Sequence, residues 1–237
     1  MNFANDCIKE FGLIFNDTKS VILAFLTPLA TIFLFSGLNI EGNIIYNDPT
    51  SFVCCLAIVF SSLSLSTQSI VHERVSGTLN RFEKTPGAIS EFVLSKYLAQ
   101  VSLSFMQSTF LFVLLVIMLP DNVAVGDITI LPIFFLVGMS TIALGMFFSS
   151  LVSNEIQATQ FSAFGLIVMV VIGGFFQSLD KMGALGDVAK ALPFTQGYQA
   201  LYIYFKGDPQ DILYWILLII EPIVFIILSV FVIQRRK

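Results

Sequence analysis

Charge is what this sequence has least of. Asp, Glu, Lys and Arg make up 12% of its 237 residues, about half of the ~25% that soluble domains carry. The mean hydropathy is +0.88, and a water-facing surface cannot be built from so few polar side chains. The composition therefore excludes an ordinary soluble domain. The net charge of −4 says little about partners until the charges are assigned to the two sides of a membrane.

Cysteine and histidine are also scarce. Cys7, Cys54 and Cys55 all lie outside the loops that we expect on the outer side, so no disulfide framework is predicted. His72 is the one histidine, which leaves histidine metal clusters and Ser-His-Asp catalysis almost nothing to use. These absences argue against the common metal sites and hydrolase sites.

A phosphate-binding loop of the GxxxxGK type is missing as well. If the protein uses ATP, another polypeptide has to hydrolyse it, and we expect no cofactor in this chain. The first residues lack the basic-then-apolar order of a secretory signal, so no signal peptide is predicted.

Apolar runs of about 20 residues dominate the sequence, and at 1.5 Å per residue each can cross a ~30 Å hydrocarbon core. Because unpaired backbone groups are not tolerated in lipid, each run is predicted to be a helix. We expect an all-α membrane protein with six transmembrane helices, at about residues 21–38, 51–71, 92–119, 128–152, 156–176 and 212–233. No repeat or linker is visible, so residues 1–237 are interpreted as one domain.

Residues 3–18 are predicted to form an amphipathic helix rather than a span. Apolar residues, among them Cys7, Ile8 and Phe11, recur at helical spacing, and polar residues that include Lys9 and Glu10 fill the other side. Such a helix suits the membrane interface. A short packing helix in the cytosol is the alternative.

Lysine and arginine are unevenly distributed between the two sides. With a cytoplasmic N-terminus, nine of the twelve basic residues lie inside, and only Lys181, Lys190 and Lys206 lie outside. By the positive-inside rule this predicts a multi-pass protein with both termini in the cytoplasm.

Two segments depart from plain spans. Residues 177–210 are too apolar for a simple outer loop, and we predict one or two short helices there, followed by Pro193 and a group of aromatic residues typical of a membrane boundary. Residues 72–92 form the other, a polar interruption between spans two and three.

The polar segment 72–92 is predicted to be a rigid elbow. Gly77 is a natural helix stop, and Thr85-Pro86 is a good helix start. Between them, Leu79 and Phe82 lie on one side of a short segment, which suits a small protein–protein socket. An ordinary solvated loop is the alternative.

This segment resembles the type-2 exporter permeases of the ATP-binding-cassette (ABC) transporters. The similarity extends to the turn at residues 151–158 and to residues 173–201, where Pro193-Phe194-Thr195 matches a family motif. The residues that carry it in the elbow are Glu73, Gly77-Thr78-Leu79, Arg81, Thr85-Pro86, Glu91 and Lys96-Tyr97-Leu98.

The resemblance implies a half-transporter in a prokaryotic plasma membrane. Two permease subunits, as a homodimer or with a close paralogue, would sit above two separate ATPase subunits that bind ATP and Mg, and no nucleic acid would be involved. The family's coupling helix maps to about residues 77–85, which would contact the ATPase. Its rim charges would be Glu73, Arg74, Arg81 and Lys84, and its buried contacts Leu79 and Phe82.

Polar residues inside the spans leave alternatives open. The inner half of the second span is rich in Ser, Thr and Gln, including Ser62, Ser66 and Gln68. These residues favour close helix packing, or they line a translocation pathway. Glu221 is a carboxylate deep in an apolar run. It is either functional or a protonated group bonded to backbone that Pro222 frees.

We therefore predict the transmembrane subunit of an ABC exporter that moves an amphipathic drug, peptide or lipid out of the cytoplasm or inner leaflet. The 25 phenylalanines fit such substrates better than sugars or ions. The alternative is a proton-coupled secondary transporter or channel that uses Glu221. An intramembrane enzyme would need paired acids, metal-ligand clusters or a Ser-Lys dyad, and the predicted spans contain none of these.

Overall fold

The computed structural model describes residues 3–36, 49–79, 88–118, 128–209 and 211–235. This part of the chain consists of helices joined by short turns and has no strand, which confirms the predicted fold class. The helices are α1 (Phe3–Asn16), α2 (Thr18–Ser36), α3 (Pro49–Val75), α4 (Ala88–Met118), α5 (Ile130–Leu151), α6 (Glu155–Ile172), a short 3-10 helix (Leu179–Met182), α7 (Ala184–Ala189), α8 (Pro193–Lys206) and α9 (Ile212–Arg235).

Five of these helices, α3, α4, α5, α6 and α9, are by themselves long and apolar enough to cross a membrane. A sixth candidate is the pair α1 and α2, which meets the same criterion only together and is bent by 62° at the break between them. This bend is compatible with the predicted interfacial helix before the first span. The interfacial position itself stays a prediction.

Helices α3 and α5 form the centre of the bundle. Within their apolar windows 72% of α3 and 67% of α5 is buried inside the chain, whereas α6 and α9 bury only 22% and 28%. The outward faces of α6 and α9 carry large apolar side chains such as Phe164, Ile167 and Ile227. Because lipid is as apolar as these side chains, such faces need no cover from protein.

Small residues allow α3 and α5 to pack closely. A Cβ added at Gly145 of α5 would collide with Ser66 of α3, and a Cβ at Gly138 would collide with Ser104 of α4. The two glycines therefore let the neighbouring helices approach at the distance that small-residue interfaces permit in membranes.

The fifth predicted span was too long at its end. We expected residues 156–176, but α6 ends at Ile172. A Cβ at Gly173 would meet the ring of Phe194, and Gly174 adopts a φ of 86°, which favours glycine. The chain turns here, and the outer segment with its predicted short helices starts four residues earlier than expected.

Helix α8 carries the aromatic residues of that outer segment into the bundle. Pro193 occupies its first turn, and Gly207 ends it with a φ of 72°. Phe194 and Tyr198 are fully buried, and the Phe194 ring lies against Phe52 of α3 at 5.9 Å between centroids. The first half of α8 is thus part of the core, whereas the 3-10 helix and most of α7 lie at the surface.

Candidate functional site

The predicted elbow lies between two long helices. Helix α3 has 27 residues and α4 has 31, or about 40 Å and about 46 Å at 1.5 Å per residue. Both exceed a ~30 Å hydrocarbon core, so each helix is long enough to extend beyond it. Ser76 and Gly77, which has a φ of 77°, follow the end of α3 as the sequence predicted.

A buried group of three charged side chains joins the facing ends of these helices to α1. The Lys96 ammonium of α4 donates to Glu73 Oε1 of α3 and to Glu10 Oε2 of α1, each at 2.9 Å. Between 10% and 14% of each side chain is exposed. We call Glu10, Glu73 and Lys96 the inner triad.

The sequence analysis assigned Glu10 to the polar face of α1 but gave it no partner. The structure turns Glu10 inward toward Lys96, and it is only 8% exposed. Ile8 and Phe11, which were expected on the apolar face, are 71% and 40% exposed. The apolar side of α1 therefore faces away from this chain, as a lipid-facing surface would.

Arg74 also bonds within the chain. Its guanidinium donates to the carbonyl oxygens of Val152 and, at 3.3 Å, of Ser150 at the end of α5, where the helix dipole favours a cation. Close by, Ser149 Oγ accepts from the backbone N–H groups of Ile70 and Val71, each at 3.0 Å. The base of α3 is thus attached to α5 on one side and to α1 and α4 on the other.

The remaining predicted coupling residues divide into two groups. Thr78 is half-buried, and its hydroxyl lies 3.1 Å from that of Ser76. Leu79 is 1% exposed and packs in an apolar cluster with Ile70 and Phe92, so in the isolated chain its side chain is covered by this protein. The others lie outside the described residues: Arg81, Phe82, Lys84, Thr85 and Pro86. A contact of any of these side chains with an ATPase stays a prediction.

Most of the polar residues in the second span bond to their own helix. Ser66 Oγ donates to the Ser62 carbonyl at 2.6 Å, and Thr67 Oγ1 donates to the Leu63 carbonyl at 2.6 Å. Gln68 is exposed and reaches Thr159 Oγ1 of α6 at 3.4 Å. In the described part of the chain Ser62 Oγ is buried without a hydrogen-bond partner. The positions of Ser66 and Gln68 fit helix packing better than a pathway.

Glu221 lies at a second buried carboxylate site. It accepts hydrogen bonds from Ser140 of α5 and from the side-chain amide of Gln196 of α8. The same amide nitrogen donates to the Lys190 carbonyl at 3.0 Å. We call Glu221, Ser140 and Gln196 the outer cluster. Its partners are neutral side chains, not the backbone that Pro222 frees, so that detail of the structural interpretation was wrong.

Comparison with family models decides the family. The model described as "ABC-2 type transporter" matches residues 7–205, most of the chain. This protein belongs to the ABC-2 type transporter family. No curated protein matches the chain.

Membership accounts for several expectations at once. An ABC-2 domain is a transmembrane transport domain and not a nucleotide-binding domain, and this family generally works with an ABC ATPase partner. The match covers both helices of the elbow and the inner triad, and it ends within α8, before α9 and Glu221. The chain is thus an ABC-2 type permease, a multi-pass membrane protein.

The sequence analysis missed three partners in this permease. Glu10 was hidden because amphipathic patterning cannot show that a residue of the polar face meets Lys96, 86 positions away. Ser140 and Gln196 bond to Glu221, yet each is an ordinary polar residue in sequence. The one available signal was that Gln196 interrupts a mostly apolar and aromatic segment.

Proposed function

We propose that this permease is the membrane-spanning subunit of an ATP-driven exporter. Two copies, or this chain and a close paralogue, would pair above two ATPase subunits that bind ATP and Mg. The observation that carries the proposal is the elbow, where α3 and α4 face each other across residues 80–87 and Lys96 joins them through Glu73. A stiff base of this kind can pass displacement into two spans at once.

The charge distribution supports a cytoplasmic elbow. Nine of the twelve Lys and Arg residues fall on the side that holds the elbow and both termini, in agreement with the positive-inside rule. In a prokaryotic plasma membrane this side faces the ATP pool. Closure of the ATPase subunits would push the elbows together and open the bundle outward.

The apolar interior supports an amphipathic substrate. Aromatic rings pack together at the outer end of the bundle, where Phe52 and Phe175 lie 3.8 Å apart between centroids. Charged residues in the described spans are few, and those that are buried bond to the protein itself. A drug, peptide or lipid taken from the cytoplasm or inner leaflet suits such a bundle better than a sugar or an ion.

The test replaces the apolar residue of the elbow. The permease and its ATPase are reconstituted together in proteoliposomes, and export and ATP hydrolysis are measured for wild type and Phe82→Asp. An acid in a buried socket is strongly disfavoured, so we expect export to fall at least about tenfold while membrane insertion persists. Ser153→Asp adds the same charge at an exposed turn and serves as the control. Full export by Phe82→Asp would refute the proposed role of the elbow.

A proton-coupled transporter or channel is the second candidate. One observation favours it: within the described residues, Glu221 is a buried acid whose hydrogen-bond partners are neutral, as expected of a group that exchanges protons inside a membrane. This candidate predicts transport that is driven by a pH gradient without ATPase and abolished by Glu221→Gln. Transport that requires ATP and survives Glu221→Gln excludes it.

A further inference from the structure

Helix α1 is attached to the rest of the chain in an unusual way. Among the α1 side chains that the structure describes, Glu10 is the one that is buried, while Ile8, Phe11 and Leu13 are exposed. A helix that docked by the hydrophobic effect would show the reverse pattern. Phe3, Cys7, Ile14 and Phe15 are half-buried, so the bond from Lys96 to Glu10 is the most buried contact on the inward side of α1.

The same ammonium holds the elbow. Lys96 lies on α4, eight residues after the helix begins at Ala88, and its second bond reaches Glu73 near the end of α3. The inner triad thus joins three helices at the point where both arms of the elbow meet the bundle. A displacement of α3 relative to α4 has to move Glu73 or Lys96, and through Lys96 it moves Glu10.

The triad has two carboxylates for one ammonium, so the ion pair to α1 and the ion pair to α3 can each be removed without removing the other. Removing Glu10 leaves the pair Lys96–Glu73, and removing Glu73 leaves the pair Lys96–Glu10. Neither change leaves a buried charge without its opposite. The ion pair between Lys96 and Glu10 can therefore be broken while Lys96 keeps its ion pair with Glu73. In a site with one acid and one base, the same substitution would leave an uncompensated buried charge.

We propose that Lys96 is a positioning residue that makes α1 a third moving part of the coupling device, so that the nucleotide state of the ATPase changes the docking of α1. This inference rests on the proposed function. It assigns to α1 a mechanical role, in addition to that of a membrane anchor, and it makes the coupling reciprocal: a loosened α1 weakens the transfer of work to the spans.

The chain contains its own reporter of α1 docking. Cys7 lies one turn before Glu10 and is half-buried, whereas Cys54 and Cys55 of α3 are buried. The rate at which a maleimide labels Cys7 should therefore increase when α1 leaves its place. Cys7→Ser gives the background from the other two thiols.

The first experiment uses the permease without ATPase. We expect Glu10→Ala to accelerate Cys7 labelling by about tenfold, because the population with α1 undocked increases when its ion pair is lost. Lys9→Ala removes an exposed charge from the same helix and should not accelerate labelling. Unchanged labelling in Glu10→Ala would overturn the assignment of the triad as the attachment of α1, whatever the function of the permease.

The second experiment uses the complex with ATPase. Labelling of Cys7 in wild type should differ at least about twofold between the nucleotide-free state and the state trapped with ATP, Mg and vanadate. In Glu10→Ala the difference should vanish, and export per ATP hydrolysed should fall severalfold while basal hydrolysis persists. A purely structural triad would alter the rate of labelling but not its dependence on nucleotide.

The outcomes separate the inference from the function on which it rests. The inference is wrong if wild type exports with ATP but the rate of Cys7 labelling is the same in both nucleotide states. It is also wrong if Glu10→Ala exports as many molecules per ATP as wild type. In both cases the proposed function stands. If no ATPase supports export by wild type, the proposed function fails and the moving-part inference fails with it. The labelling of the isolated permease would still report whether the triad holds α1.

Discussion

The inner triad and the outer cluster both bury carboxylates among helices, but they neutralise them differently. Glu10 and Glu73 share the ammonium of Lys96, and the contact joins α1, α3 and α4. Glu221 has two neutral donors, from Ser140 and Gln196, and joins α5, α8 and α9. The first site is an ionic joint beside the elbow, and the second is a hydrogen-bonded joint with neutral donors beneath the outer segment.

The difference shows what each joint tolerates. A buried ion pair that loses one member leaves an uncompensated charge, at a cost of about 3–5 kcal/mol. A hydrogen bond contributes about 0.5–1.5 kcal/mol between neutral groups and about 1.5–3 kcal/mol to a charged group, and a buried donor left without a partner costs about 1–3 kcal/mol. Loss of Lys96 from the inner triad should therefore be more damaging than loss of one donor from the outer cluster. The outer cluster can loosen without collapse of the bundle.

The largest effect is expected from Lys96→Met. The change leaves Glu10 and Glu73 facing each other without a cation, so we expect about 3–5 kcal/mol of destabilisation and a clearly lower melting temperature in detergent, measured by loss of the monodisperse species on heating. Lys9→Met, an exposed lysine, should behave like wild type. If Lys96→Met melts as wild type does, the triad contributes little and the two joints do not differ as argued.

A smaller effect is expected from Gln196→Leu. The substitution removes the donor to Glu221 and to the Lys190 carbonyl, and about 1–3 kcal/mol of local stability should be lost. Trypsin added from the outer side should then cleave after Lys190 faster than in wild type, with the melting temperature little changed.

The control for that experiment is Glu221→Gln. An amide in this position keeps an oxygen that can accept from Gln196, so the cleavage rate should stay near that of wild type. Equal cleavage of Gln196→Leu and wild type would show that the outer cluster does not hold the outer segment.

The smallest effect is expected from His72→Ala. His72 and Glu155 lie 3.1 Å apart on the predicted cytoplasmic side, with 72% and 53% of their side chains exposed. Exposed pairs contribute about 0–1 kcal/mol, so the melting temperature and the export rate should both stay near wild type. A loss comparable with that of Lys96→Met would mean that burial does not explain the strength of the inner triad.

Hydropathy and local turn chemistry were enough to predict much of the fold. Runs of apolar residues predicted the spans, and Gly77 predicted the end of α3, because both depend on residues close in sequence. The end of α6 was missed because the close approach of the Phe194 ring to Gly173, which leaves no room for a Cβ, depends on how α8 packs against α6.

The partners of the buried charges could not be read from the sequence for the same reason. Glu10 follows the pattern of a solvated polar face, and only the distant Lys96 makes its burial favourable. In sequence, Leu79 is an apolar residue in a polar segment, which is typical of a protein-protein contact. In the structure, it is covered by the apolar cluster that contains Ile70 and Phe92. The sequence did show that Glu221 was exceptional, and it did not show which donors would meet it.

The glycine contacts between α3 and α5 limit the route of any cargo. A single added methyl group at Gly145 has no room beside Ser66, so a far larger molecule cannot pass between these two helices while they stay packed. Opening and closing would then keep this pair together as one rigid body, and the gap would have to form along its outer flanks.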